Sequence, residues 1–259
     1  MAYEDRRVMD AAVKAGHILL ENGAEIARVE ETMERIVTHY GMDTGEFFVL
    51  SNGIFTTAGQ AMGRAYARVQ HIPVKGARLD KVVAVNQLSR EIVEGKHESI
   101  EDVERCLREI DAMPGETMWA QVLASGAGSG FFCVLAGGGL AECVTAFIAG
   151  FLLYIYVLKI GVHLSKIVGN IIGGALVVLI SLLCRQALPG LNLSAMISGT
   201  IMPLVPGVAF TNGIRDIANS DYLSGVVRLL DAVLVFISIA IGVGVMFSIY
   251  HGVTGGIMP

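Results

Sequence analysis

Residues 201–216 read IMPLVPGVAFTNGIRD: two prolines and two glycines interrupt an apolar run that ends in Thr211, Asn212, Arg215 and Asp216. A proline inside a helix removes a backbone hydrogen bond, and its ring crowds the carbonyl one turn back. In lipid the freed groups must be paired again, which is tolerated where the segment packs in protein or lines a cavity. Whether this is a broken membrane helix or a soluble loop depends on what surrounds it.

The surroundings are apolar. The chain has 259 residues, of which 53% are hydrophobic, and a mean hydropathy of +0.60. Residues 1–117 carry 14 Lys/Arg and 20 Asp/Glu, whereas residues 118–259 carry 5 and 4. So steep a split divides the chain into a part that dissolves in water and a part that does not. The net charge of −5 sits in the first part and argues against nucleic acid as a partner.

A transmembrane helix needs about 20 mainly apolar residues. Five segments qualify, at about 118–138, 140–159, 166–185, 191–210 and 226–250, and the quoted prolines fall in the fourth. Short loops on the side of the amino terminus hold Lys159, Lys166, Arg215 and Arg228, against Arg185 alone on the other side. Cytoplasmic loops are enriched in basic residues. The expected topology therefore has the amino terminus in the cytoplasm and the carboxyl terminus outside. The charged first thirty residues lack the apolar core of a signal peptide. Glycines cluster in the first, third and fifth spans (Gly126, Gly128, Gly130; Gly169, Gly173, Gly174; Gly242, Gly244), and small residues let helices approach closely in lipid.

Residues 1–116 read as a small cytoplasmic α+β domain, and 117–259 as the five-helix membrane domain. Two helices meet at Asn22-Gly23, and Val29, Met33, Ile36 and Val37 make an apolar stripe on the second. Two strand-like runs follow, FFVLSNGIFTTA and RAYARVQHIPV, then helices over 79–93 and 99–113. Ser99-x-x-Asp102 is a capping-box variant. No catalytic motif appears. His17, His39, His71 and His97 lack metal-ligand spacing, Ser51-Asn52-Gly53 reads as an ordinary turn, and the four cysteines read as free thiols. Neither an enzyme, a metal site nor a cofactor is expected.

The order ENGAEIARVEETMERIVTHYGM, LSNGIFTT, VNQLSREI and LVPGVAFTNGIRD…YLSGVVRLLDA resembles the threonine/serine exporter family, from about Gly16 to Gly244. The combination carries the likeness: the NGAE helix turn ahead of the strands, and the VPG-x-x-x-x-N block before the last helix. The resemblance implies a ten-span transporter of which this chain is the larger, N-terminal half. A second small multi-span subunit would complete it, in an oligomer set in the lipid bilayer of the bacterial inner membrane. Split members of the family are associated with export of small acids such as succinate, so a small carboxylate-bearing solute is the implied substrate.

Broken helices in transporters present half-helix ends to the solute. Pro203, Pro206 and Gly207 would make the break, with Thr211 and Asn212 supplying hydrogen bonds to the substrate. The alternative is that Pro206-Gly207 ends the fourth helix and TNGIRD is a wet loop. For proton coupling the candidates are Asp231, about a turn inside the fifth span, with Glu142, Asp216 and Arg215. The alternative readings are that Asp231 leans toward Arg228 at the interface and that Glu142 is interfacial. A membrane-tethered metabolite sensor is the competing functional class, although simple anchors need neither prolines nor an aspartate in their spans.

Overall fold

Burial of the stripe on the second helix organises the first part of the chain. In this computed structural model, which describes residues 3–42, 45–58, 66–73, 76–97 and 99–254, helix α1 spans Tyr3–Glu21 and α2 spans Ile26–His39. Val29, Met33, Ile36 and Val37 are buried in one core with Met9, Ala12, Ile18 and Leu19 of α1. Gly23, at φ 83°, makes the turn between the helices in a conformation that costs glycine little. The run FFVLSNGIFTTA is not one strand but a hairpin, because Ser51 and Asn52 form the turn between β1 (Gly45–Leu50) and β2 (Gly53–Ala58). Strand β3 (Tyr66–His71) completes an antiparallel sheet of order β1-β2-β3. Arg64, Ala65 and Val74 of the second strand-like run lie outside the described residues. Helices α3 (Leu79–Val93) and α4 (Ile100–Asp111) cover the core, and the Ser99 hydroxyl accepts from Asp102 N at the start of α4. Arg7 of α1 holds Glu104 of α4 through two nitrogens, at 3.1 and 2.8 Å.

Among the described residues, four helices are long and apolar enough to cross a membrane. They are α5 (Met118–Leu135), α6 (Leu140–Lys159) with its following turn, α7 (Lys166–Ala187) and α10 (Tyr222–Thr254). The fourth expected span is split. Helix α8 covers only Leu193–Thr200, a 3-10 turn takes Met202–Leu204, and α9 starts afresh at Gly207 and runs to Ala218. The two halves pass as one span only when taken together. Pro206-Gly207 therefore begins a helix rather than ending one, and TNGIRD is helical. Proline suits a helix entrance, where its missing N–H is not needed. Leu204 N and Val205 N bond to Ile201 O and Met202 O, so the tight turn re-pairs groups that the break frees.

The chain forms two compact units, Met1–Pro114 with Gly207–Leu230, and Gly115–Pro206 with Asp231–Pro259. Helix α10 belongs to both. Its 33 residues extend about 50 Å at 1.5 Å per residue, roughly 20 Å more than the hydrocarbon core requires. It begins four residues earlier than expected, at Tyr222.

The spans pack through glycine where backbones touch. A Cβ at Gly174 would lie 2.5 Å from Ile239 O, and one at Gly242 would overlap Ile171 O, so α7 and α10 meet backbone to backbone. Gly126 and Gly130 of α5 similarly face Phe147 O and Cys143 O of α6. Gly128 and Gly244 are different: nothing lies within 4 Å of either, so they are not packing surfaces within this chain. Gly242→Ala should lower the detergent-solubilised melting temperature, at a cost of about 1–3 kcal/mol from overpacking. Gly244→Ala, placed two residues away in open space, should leave it unchanged.

Glu30 of α2 is partly buried and accepts from Val49 N at 3.1 Å. Burial pushes its carboxyl above the usual carboxylate range, against the pull of that hydrogen bond, with Asp221 and Glu34 adding repulsion. A raised value means that the fold favours the protonated acid. That contribution is complete in acid and is lost as the pH climbs through the raised value. Glu30→Gln keeps an acceptor for Val49 N without the charge. It should raise the melting temperature at neutral pH, and the gain should shrink as the pH falls into the carboxylate range.

Candidate functional site

The 3-10 turn at the break borders a cavity of about 550 Å3 in the second unit. Met202 and Pro203 line it on one side and Tyr154 of α6 on another. The remaining lining is one face of α5 and its entrance: Glu116, Ala120, Gln121, Ala124, Ser125, Gly128 and Phe132. Those positions recur at three to five residues, as one helix face must. From Glu116 to Phe132 they run about 24 Å at the helical rise, most of the length of the span. Alanines and a glycine make that face shallow, which leaves the room. Gln121 Nε2 donates to Glu116 O at 2.8 Å, and the Ser125 hydroxyl donates to Gly150 O at 3.1 Å. Two further hydroxyls, Ser129 Oγ and Thr200 Oγ1, are buried without a hydrogen-bond partner among the described residues. They flank the lining in sequence, beside Gly128 and two residues before Met202. Unpaired buried hydroxyls cost about 1–3 kcal/mol each, so polarity at this helix junction is maintained against stability.

The residues after the break go to a different place, inside the first unit. Helix α9 and the start of α10 grip the turn between α1 and α2. Asn212 Nδ2 donates to Gly23 O at 2.7 Å, and Arg228 Nη2 donates to Ala24 O at 2.9 Å. Asp216 Oδ1 accepts from Ile26 N at 3.1 Å, satisfying one of the free donors at the start of α2. Arg215 pairs with Glu25 at 3.3 Å. Behind these contacts Asp216 and Arg228 form an ion pair at 2.9 Å, with side chains 0% and 10% exposed. Beyond this ion contact, Asp216 Oδ2 and Arg228 Nη1 have no other partner among the described residues.

The structure thus separates residues that the sequence places together. Of the expected substrate group, Pro203 lines the cavity, Pro206 and Gly207 form the break, Thr211 is exposed, and Asn212 is held by Gly23. Of the expected coupling group, Asp216 and Arg215 belong to the grip on the α1–α2 turn. Asp231 pairs with Lys166 at the start of α7, both side chains about half exposed, and not with Arg228, which Asp216 occupies. Glu142 accepts from Gly139 N and Asn192 N, both at 3.0 Å. The sequence reading missed Glu116 and Tyr154. Only the helical spacing from Glu116 to Gly128 marks the first, and that spacing looks like any lipid-facing stripe, while Tyr154 sits in the apolar run of α6 with no motif around it. Among the described residues, no group of three His, Cys, Asp or Glu is arranged to hold a metal.

Removing one member of a buried ion pair strands the other charge, at about 3–5 kcal/mol. Arg228→Met should therefore lower thermal stability severely. The double variant Asp216→Asn with Arg228→Met should recover much of the loss, which a double-mutant cycle of melting temperatures in detergent measures.

Comparison with known proteins agrees with this architecture. The family model of the threonine/serine exporters, ThrE, matches residues 10–250. A Klebsiella aerogenes protein, "Probable succinate transporter subunit YjjP", is 27% identical over 97% of both chains. The Escherichia coli protein of the same name is 26% identical over 95% of this chain and 96% of its own. No solved structure matches. The ENGAEI turn and the NGIRD helix, which carry the likeness in sequence, are the two sides of one contact. With several apolar spans and a family match over most of its length, the chain is a multi-pass membrane transport protein and belongs to the threonine/serine exporter family.

Proposed function

We propose that the chain is one subunit of a secondary transmembrane exporter of small carboxylate-bearing metabolites, threonine and serine or succinate-like dicarboxylates, completed by a separate small membrane partner. The observation that carries this reading is the broken span whose 3-10 turn lines the cavity, in a chain of an exporter family. Transporters place solute sites at such breaks. The word "subunit" in the relatives' names favours a partner half. Residues 1–116 would face the cytoplasm as the regulatory domain, with the carboxyl terminus outside, as the basic loops favour.

For coupling to protons, Asp231 suits the role better than Glu142. Asp231 is held by one mobile side chain, Lys166, and protonation would release it. Glu142 is held by two backbone N–H groups at helix ends, a structural duty. Substrate contact at the break falls to Pro203, Pro206 and Gly207, with Thr211 exposed on α9 and Asn212 and Arg215 holding that helix in place.

Inverted vesicles containing this chain and its small membrane partner should accumulate radiolabelled threonine or succinate when a proton gradient is imposed. Either protein alone should not. Asp231→Asn should abolish accumulation against a gradient while sparing solute counterflow. Equal accumulation with and without this chain would end the exporter reading, and undiminished accumulation in Asp231→Asn would remove that residue from coupling.

A further inference from the structure

We propose that Glu116 is the charge-selecting group of the cavity along α5, admitting small solutes that carry an ammonium group and turning away dianions. The inference rests on the reading of the chain as an exporter and names the solute chemistry of its cavity.

Glu116 carries the one formal charge among the described residues that line the cavity, where there is no lysine, arginine or histidine. The other polar contributions are the Gln121 amide and the hydroxyls of Ser125 and Tyr154. A dicarboxylate entering this space meets a like charge and no cation. An ammonium group meets a carboxylate and hydroxyl oxygens. The Ser125 hydroxyl donates its proton to Gly150 O, so toward a solute it acts as an acceptor, which again suits an ammonium group.

The other carboxylates of this unit are already committed. Glu142 is fixed by Gly139 N and Asn192 N, and Asp231 by Lys166. At Glu116 it is the backbone carbonyl that takes the Gln121 amide, and no ion pair engages its carboxylate among the described residues. Glu116 also stands just before Thr117, whose hydroxyl accepts from Ala120 N to start α5, so its backbone is positioned by the helix entrance. The side chains that follow along the same face, Ala120, Ala124 and Gly128, are small enough to let a solute lie against the helix.

Glu116 is exposed at the mouth of the cavity, so its attraction for an ammonium group is that of a surface ion pair, about two- to fivefold in affinity. Trp119 is the chain's single tryptophan and neighbours Ala120, so its fluorescence reports on the cavity. The full chain in lipid nanodiscs should be titrated with L-threonine, with 3-hydroxybutyrate, which lacks the ammonium group, and with succinate. Threonine should bind about two- to fivefold more tightly than the other two. Glu116→Gln should erase that preference at an unchanged melting temperature, and Glu116→Asp should keep most of it. Succinate binding as tightly as threonine, a preference that survives in Glu116→Gln, or no saturable response from the folded chain to any of the three overturns the proposal. Accumulation of succinate by vesicles holding both proteins, with no such preference, leaves the exporter reading standing and removes Glu116 from selection.

Discussion

The hairpin of α9 and the start of α10 depends on one buried ion pair. Asp216 and Arg228 lie almost wholly out of water, where either charge alone is costly, so each is tolerable only while the other is present. The pair in turn requires α9 and α10 to fold back tightly on each other. Gly213 and Gly225 permit this, since a Cβ at either would press on the other's carbonyl oxygen, at 3.1 and 2.8 Å. Ser220, at φ 73°, turns the chain between the helices, and Asp221 N closes onto Asp216 O at 2.8 Å. With that hairpin set, Asn212 and Asp216, four residues apart on one face of α9, point at the same turn. The turn offers the carbonyls of Gly23 and Ala24 and the N–H of Ile26, and each finds a partner in the hairpin. Two short motifs some 190 residues apart are therefore one physical object.

Much of the fold could be read from the residues because the signals are one-dimensional. The fall in charge after residue 117 needs no tertiary knowledge, nor do the runs of apolar residues that become α6, α7 and α10. The stripe Val29–Met33–Ile36–Val37 is a periodicity, and periodicity predicts burial. The prolines predict a break, and the break is present. What could not be read is where each broken or charged piece goes. Asp231 is three residues from Arg228, close enough in sequence for a pair, yet on a helix those positions compete for different neighbours. Arg228 turns to Asp216, buried on the facing helix, and Asp231 is left for Lys166, 65 positions away. Pairing of charges is decided by helix packing, and no window along the chain contains it.

The same limit explains the candidate site. Pro203, Asn212 and Asp216 lie within fourteen residues, so the sequence presents them as one constellation. The break between Val205 and Gly207 assigns the first to the lining of a cavity and the other two to the turn between α1 and α2. Glu116 shows the converse. It sits in a polar linker 87 residues from Pro203 and has no motif around it, yet the folding of α5 along the 3-10 turn makes it part of the same lining.

Glycine in the spans serves two opposed ends, and geometry alone separates them. Gly174 and Gly242 bring α7 and α10 into backbone contact, because the hydrocarbon gives no hydrophobic reason to associate and close packing must supply one. Gly128 is equally small but faces nothing, and the absence of a side chain there is what keeps the cavity open. A residue that tightens one seam widens the next. The membrane unit is consequently firm where α7 meets α10 and open along α5, whose cavity-facing side carries Glu116 at its entrance. The hydroxyls of Ser129 and Thr200, buried without a hydrogen-bond partner among the described residues, mark the helix junction beside that face.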